Sequence, residues 1–238
     1  ELTAGLRPIS LTYPNGRVLH YDYAAGDDHA LGRITSYFDD DGSTELVRYR
    51  RVGLRAFVQV HYPEPTLSYT LDPQADGTYE ALDRFGRVVA LLWKNFTTGE
   101  EAVYFRHGYD RAGNCLYRVD VVGAVHGVDT DDFYQYDRLD RLVDVQRGAL
   151  NSQNSAMAAP NFAKSWDLDA AGNWRTFSEG AFGNGSLALQ ESRLHNRANE
   201  ITAIDGGGSD LAHNRAGNMT RIPGPRGSDS YFQLTYDA

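Results

Sequence analysis

No pair of cysteines exists in this sequence of 238 residues. Cys115 stands alone, so an intrachain disulfide is excluded and the fold must hold by packing. Lysine is scarce as well: Lys94 and Lys164 are the only two, and every other basic residue is Arg. Arg presents a planar fork of donors suited to fixed pairing, so this bias points to positioned structural cations, or to a GC-rich genome. There is no excess of positive charge. The net charge is −9, which argues against a nucleic-acid partner, because phosphate binding needs clustered positive charge. No apolar run approaches the roughly 20 residues of a membrane span. The sequence opens at Glu1 without Met or a signal peptide and reads as a processed or excised piece, so its N-terminus assigns no compartment.

What is abundant is strand and turn chemistry. Aromatic residues make up 12%, with 15 Tyr, and flat rings pack well on a pleated surface. The 24 glycines suggest many tight turns. Helix signals are weak throughout.

An internal repeat organises the chain. Leu82-Asp83-Arg84-Phe85-Gly86-Arg87-Val88 matches Tyr109-Asp110-Arg111-Ala112-Gly113-Asn114-Cys115 slot for slot. Tyr136 to Leu142, Leu168 to Trp174, His195 to Ile201 and His213 to Met219 are further copies. Looser ones lie at Gly16-Arg17-Val18 and Gly32-Arg33-Ile34, and a degenerate one near Gly53.

Each slot has a physical reason. The opening Asp83, Asp110, Asp137, Asp169, Asn196 or Asn214 bonds forward to the backbone and starts a turn. Three residues on, Gly86, Gly113, Gly172 and Gly217 fill a slot that wants positive φ, with Asp140 and Asn199 as substitutes. That pattern suits a type I turn followed by a left-handed residue. A polar residue follows, then an apolar one: Val18, Ile34, Val88, Cys115, Leu142, Trp174, Ile201 and Met219. Side chains alternate faces along a strand, so this slot is expected to point to a buried core. The Gly-slot positions 86, 113, 140, 172, 199 and 217 are separated by 27, 27, 32, 27 and 18 residues, a spacing of hairpins in series.

The expected fold is therefore all-β, with consecutive antiparallel hairpins in a curling sheet or partial shell. Residues 1–238 form one repeat region: repeats over 1–147, an excursion loop over 148–164, and repeats over 165–238. The loop is assigned from the Ser, Asn and Ala content of Asn151 to Lys164 together with Pro160. Asp205-Gly206-Gly207-Gly208-Ser209 reads as a second flexible tip. Leu234-Thr235-Tyr236-Asp237-Ala238 begins a further copy, which suggests a fragment of a larger protein.

These motifs resemble the YD repeats of the RHS (rearrangement hot spot) and teneurin family, of the bacterial type. Tyr109 to Cys115 is a near-ideal copy, and the likeness runs from about Tyr13 to the end. The resemblance implies a long sheet spiralling into a hollow shell. In bacterial relatives such a shell can enclose a C-terminal toxin within a secreted or surface-delivered machine; in animal relatives it belongs to an adhesion receptor. An extracellular or cell-envelope location follows from the resemblance alone. This sequence departs by lacking the Asp-Pro-x-Gly-Leu type segment that closes the bacterial shell. The implied partners are further repeats of the same parent chain and an enclosed C-terminal polypeptide. A glycan- or protein-binding adhesin surface is the alternative, and unpaired strand edges also allow a self-assembling filament.

Catalytic chemistry finds little support. Cys115 occupies the apolar slot, where a buried thiol is inert. His195 and His213 replace the Tyr of other copies, and the remaining histidines follow no metal-ligand spacing. Asp39 to Glu45 resembles part of a calcium loop but lacks the alternating ligand series and the bidentate Glu, so a solvated hairpin tip is expected. Gly180 to Ser186 is glycine-rich without a strand-to-helix context for phosphate. The Arg that follows each opening residue (Arg84, Arg111, Arg138, Arg197, Arg215) is expected to pair with nearby carboxylates or carbonyls. No catalytic residue, cofactor or metal is assigned.

Overall fold

The computed structural model describes residues 7–53, 56–72, 77–181, 187–205, 211–224 and 230–236. Three segments singled out above lie partly outside them: the tip at Gly206 to Ser209, the glycine-rich Phe182 to Ser186, and Asp237-Ala238. The fold is all-β. Fifteen antiparallel strands form one sheet in strict chain order, and its first and last strands do not pair with each other.

Contacts divide the chain into two units, one holding residues up to 108 with 119–128, the other 109–118 with 129 onward. In the first unit lie β1 (Ser10–Thr12), β2 (Val18–Asp22), β3 (Ser36–Phe38) and β4 (Glu45–Val52). They are followed by β5 (Ala56–Tyr62), β6 (Leu67–Thr70), β7 (Ala90–Asn95) and β8 (Glu101–Tyr109). Aromatic side chains tie neighbouring strands together. Tyr21, Tyr37, Tyr49 and Phe57 form a ladder across β2 to β5, with ring centroids 5.2, 6.0 and 5.3 Å apart.

The long connection from β6 to β7 supplies this unit's core. Val58 is fully buried against Leu71 and Ala81, with Tyr69, Tyr79, Leu82 and Val88 packed around them. Burying such an aliphatic side chain stabilises by about 1.5–3 kcal/mol.

The second unit begins with β9 (Cys115–Asp120), β10 (Asp131–Tyr136), β11 (Leu142–Leu150) and β12 (Met157–Leu168). β13 (Trp174–Ala181), β14 (Leu187–His195) and β15 (Ile201–Ile204) complete the main sheet. A separate three-stranded sheet follows, made of β16 (Ala212–His213), β17 (Met219–Pro223) and β18 (Tyr231–Gln233). Strands here contact chiefly their neighbours in the order.

Two expectations need correction. The excursion loop over 148–164 is mostly strand: β12 starts at Met157, and only residues 151–156 turn back. Pro160 is accommodated at a register shift opposite Gly148, where the partner strand tolerates a missing donor. The apolar slot is not a deep core either. Val88, Cys115, Trp174, Ile201 and Met219 are half-buried, and Leu142 is 37% exposed. Leu142 sits at a register shift in the pairing of β10 with β11, as Trp174, Ile201 and Met219 do in their own hairpins. Helical structure is confined, among the described residues, to one turn at Asp27–Ala30 and one at Val121–Val125. The Asp120 carboxylate caps the second by accepting from the Gly123 amide at 2.9 Å.

Candidate functional site

The repeated turn is the most elaborated feature of the molecule. In the turn opened by Asp83, the Asp83 amide donates to the Arg87 carbonyl and the Gly86 amide to the Asp83 carbonyl, both at 2.9 Å. Asp83 Oδ1 then accepts from the amides of Phe85 and Arg87 at 2.8 and 2.9 Å. Asp137, Asp169, Asn196 and Asn214 each accept from the amides two and four residues on. Asp110 accepts from Gly113 and Asn114 at 2.8 Å each. The left-handed slot has φ of 76° at Gly86, 102° at Gly113, 92° at Gly172 and 81° at Gly217. Asp140 and Asn199, which carry a Cβ, sit at 58° and 62°, inside the region L-residues tolerate.

The residue after the slot closes its own turn. Arg87 and Arg141 pair with Asp83 and Asp137 at 2.6 Å, while Asn114 and Asn173 donate to Asp110 and Asp169 at 2.9 and 3.1 Å. In the fifth turn the polarity reverses, and Asn196 donates to Glu200 at 2.6 Å. These bonds hold the carboxylates ionised. The Asn114, Arg141 and Asn173 side chains, followed by turn amides, keep Asp110, Asp137 and Asp169 below the usual carboxylate range. For Asp83 burial works upward, but the amides and the Arg87 side chain outweigh it.

The same side chains also reach the next turn along that edge, within the second unit. Asn114 Nδ2 donates to Asp140 Oδ1 at 2.9 Å, across 26 residues of chain. Arg141 Nη1 donates to the Asp169 carbonyl at 2.7 Å, across 28. Asn173 Nδ2 donates to Asn199 Oδ1 at 3.0 Å, again across 26. Arg33 does the same in the first unit, pairing with Asp28 at 2.6 Å and donating to the Gly53 carbonyl at 2.8 Å. The five Arg residues after the opening residues are exposed instead, and Arg84 lies over the Phe85 ring. The pairing Arg is therefore the one after the slot, whose backbone faces the opening carboxylate.

Other chemistry-bearing groups are structural in their contacts. Asp132 on β10 is 3% exposed and lies between two guanidinium groups, Arg118 of β9 at 2.5 Å and Arg147 of β11 at 2.8 Å. Burial, and then this carboxylate, push Tyr134 up to about 12. The Cys115 thiol donates to the Tyr117 carbonyl at 3.4 Å, and burial pushes its pKa up, away from a reactive thiolate. His195 and His213 close β14 and β16, one residue before their turns.

At the acidic tip, Asp39 Oδ1 takes the Arg17 side chain and the Asp40 amide at 2.8 Å each. Asp40 takes the Val18 amide, and Asp41 takes the Thr44 hydroxyl and amide. These bonds tie the acidic tip to its own backbone and to the Arg17 turn. Among the described residues no group of three or more His, Cys, Asp or Glu side chains is placed to hold a metal. No helix among them is long and apolar enough to cross a membrane.

Sequence reasoning missed one cluster. Leu142, Trp166, Leu168 and Trp174 line an open hollow of about 180 Å³. Trp166 and Trp174 both contact Phe177, and the Arg193 guanidinium lies 3.6 Å from the centre of the Trp174 ring while pairing with Glu191. The signal was present in the two Trp residues of adjacent strands, but only their pairing register brings them together.

No family model matches the sequence, and no curated protein matches it either. Solved structures do resemble the fold. The Tc holotoxin pore of Photorhabdus luminescens aligns with a TM-score of 0.60 at 13% identity, over 95% of this chain and 12% of that one. A TcdB2–TccC3 structure gives 0.60 at 15% identity, again over 95% and 12%. TcdB2–TccC3 without its hypervariable C-terminal region gives 0.58 at 15%, over 93% and 12%. The chain thus spans about an eighth of the length of these structures, and the likeness is one of fold.

Proposed function

We propose that this chain is a non-enzymatic structural scaffold, a stretch of wall from an RHS-type β-shell in a secreted or surface-delivered bacterial protein. The finer part of the proposal is that the parent protein uses the wall to enclose a C-terminal polypeptide. The observation that carries the reading is the edge of linked turns. The carboxylates and amides that open the turns, and the side chains that follow the left-handed slot, are engaged in closing turns and joining one turn to the next. The likeness to Tc toxin structures over 95% of the chain supports a shell-like role. The repeat motif supports the RHS assignment.

The test is limited proteolysis of the whole native protein, with intact mass spectrometry of the survivors. Protection of a C-terminal fragment unrelated to the repeats is expected. Survival of repeat segments alone would refute the cargo reading and leave an outward-acting scaffold.

A second reading rests on the hollow of Trp166 and Trp174. An open apolar hollow lined by two indoles suits the apolar faces of sugar rings, which would make the chain an adhesin-like binding module. Saturable quenching of Trp fluorescence by a glycan, lost in Trp166→Ala, would favour it over the scaffold.

A further inference from the structure

The residue after the left-handed slot in one turn and the slot residue of the next vary together. Asn114 meets Asp140, and Asn173 meets Asn199: a short donor amide faces a short side-chain acceptor. Arg141 and Glu200, by contrast, face Gly172 and Gly217. Arg141 Nη1 lies 3.8 Å from where a Gly172 Cβ would stand, and Glu200 Oε1 lies 3.7 Å from the same place at Gly217. Arg33 follows the second pattern, since its donor reaches the carbonyl of Gly53, another left-handed glycine at φ 58°.

Physical reach explains both patterns. Asn is too short to span two turns alone, so it needs an acceptor that projects from the facing slot. Arg141 reaches a backbone carbonyl of the next turn by itself, so no projecting acceptor is needed there and Gly, free of the left-handed penalty, occupies the slot, its Cβ position at ordinary contact distance from the long side chain. Non-glycine residues in the slot carry a conformational penalty. They occur at Asp140 and Asn199, the two positions where the preceding turn offers Asn.

We propose that this pair is a turn-to-turn recognition code: Asn selects Asp or Asn in the slot of the next turn, and a long charged side chain selects Gly. The code specifies which turn stacks on which along the edge, so that hairpins of nearly identical sequence do not exchange places. It holds whether or not the parent chain encloses cargo.

A double-mutant cycle on the full chain tests it. Asn173→Arg and Asn199→Gly, combined, convert one pair type into the other. The thermal midpoint of the double variant is expected to exceed the sum of the single shifts by about 2–4 °C. Arg141→Asn with Gly172→Asn performs the reverse exchange and is expected to show the same sign, so a single variant that fails to fold leaves the other cycle readable. Folding of a double variant whose single parents do not fold is the strongest form of the expected result. Asn114→Arg with Asn199→Gly, which join no common pair, is expected to be additive. Additive shifts in both matched cycles, or equal coupling in the unmatched one, would overturn the code.

Discussion

Gly148 on β11 and Ala159 on β12 approach so closely that a Cβ on Gly148 would collide with the Ala159 carbonyl oxygen and stand 2.9 Å from Pro160 Cα. The close approach belongs to the bulge that seats Pro160 in the strand. Gly113, at φ 102°, has nothing within 4 Å of its own added Cβ. Two glycines are therefore required for different reasons, one by backbone conformation and one by space as well. Gly113→Val is expected to destabilise by about 1–3 kcal/mol through strain alone. Gly148→Ala is expected to lose about 1–3 kcal/mol more than Gly113→Ala, from overpacking against backbone that cannot rotate away. Urea denaturation midpoints read both, and equal midpoints for the two Ala variants would contradict the packing account.

The Asp132 carboxylate joins three strands through Arg118 and Arg147. Asp132→Asn keeps the shape and removes the charge. It is expected to destabilise by about 1.5–3 kcal/mol, toward the lower end because the Arg147 side chain is 47% exposed and rehydrates. Asp132→Asn should also lower the pKa of Tyr134, so that its phenol ionises at lower pH, since the carboxylate contributes to the elevation. An ultraviolet pH titration that leaves Tyr134 near 12 in the variant would assign the shift to burial alone.

The turn aspartates make the fold acid-sensitive. Asp83, Asp110, Asp137 and Asp169 have folded-state pKa values below their ordinary value of 3.8. Their contribution is fully present above that value and is lost as pH falls through the folded one. Stability is expected to be flat through neutral pH and to drop below about pH 4. Neither Asn214 nor the Asn218 that follows its slot titrates, so amide exchange should quicken in the Asp-opened turns before the Asn214 turn. Simultaneous loss of protection in both would contradict this.

Cys115 serves as an internal probe of the apolar slot. Its half-buried thiol, raised in pKa by burial, is expected to react with a maleimide more slowly in the native protein than in denaturant. Equal rates would place the slot on the surface.

The ladder of hairpins was legible because a turn motif recurred at near-regular intervals and an apolar residue followed each copy at a set distance. Other features were hidden for identifiable reasons. Met157 to Leu168 reads as loop because small polar residues and Pro160 weaken its pattern, yet its register opposite β11 and β13 makes it a strand. Leu142 shares the apolar slot and the register shift of its siblings and is nonetheless 37% exposed, which the repeat pattern does not reveal. The bonds from Asn114 to Asp140 and from Arg141 to Asp169 join residues 26 and 28 apart, which local spacing does not reveal.

Electron cryomicroscopy of the whole protein that contains this chain tests the scaffold claim most directly. The sheet is expected to continue into a wall, with one face turned toward an enclosed volume and the linked turns forming one rim of that wall. A sheet standing free, with both faces open to bulk solvent and no continuation beyond its outer strands, would contradict it.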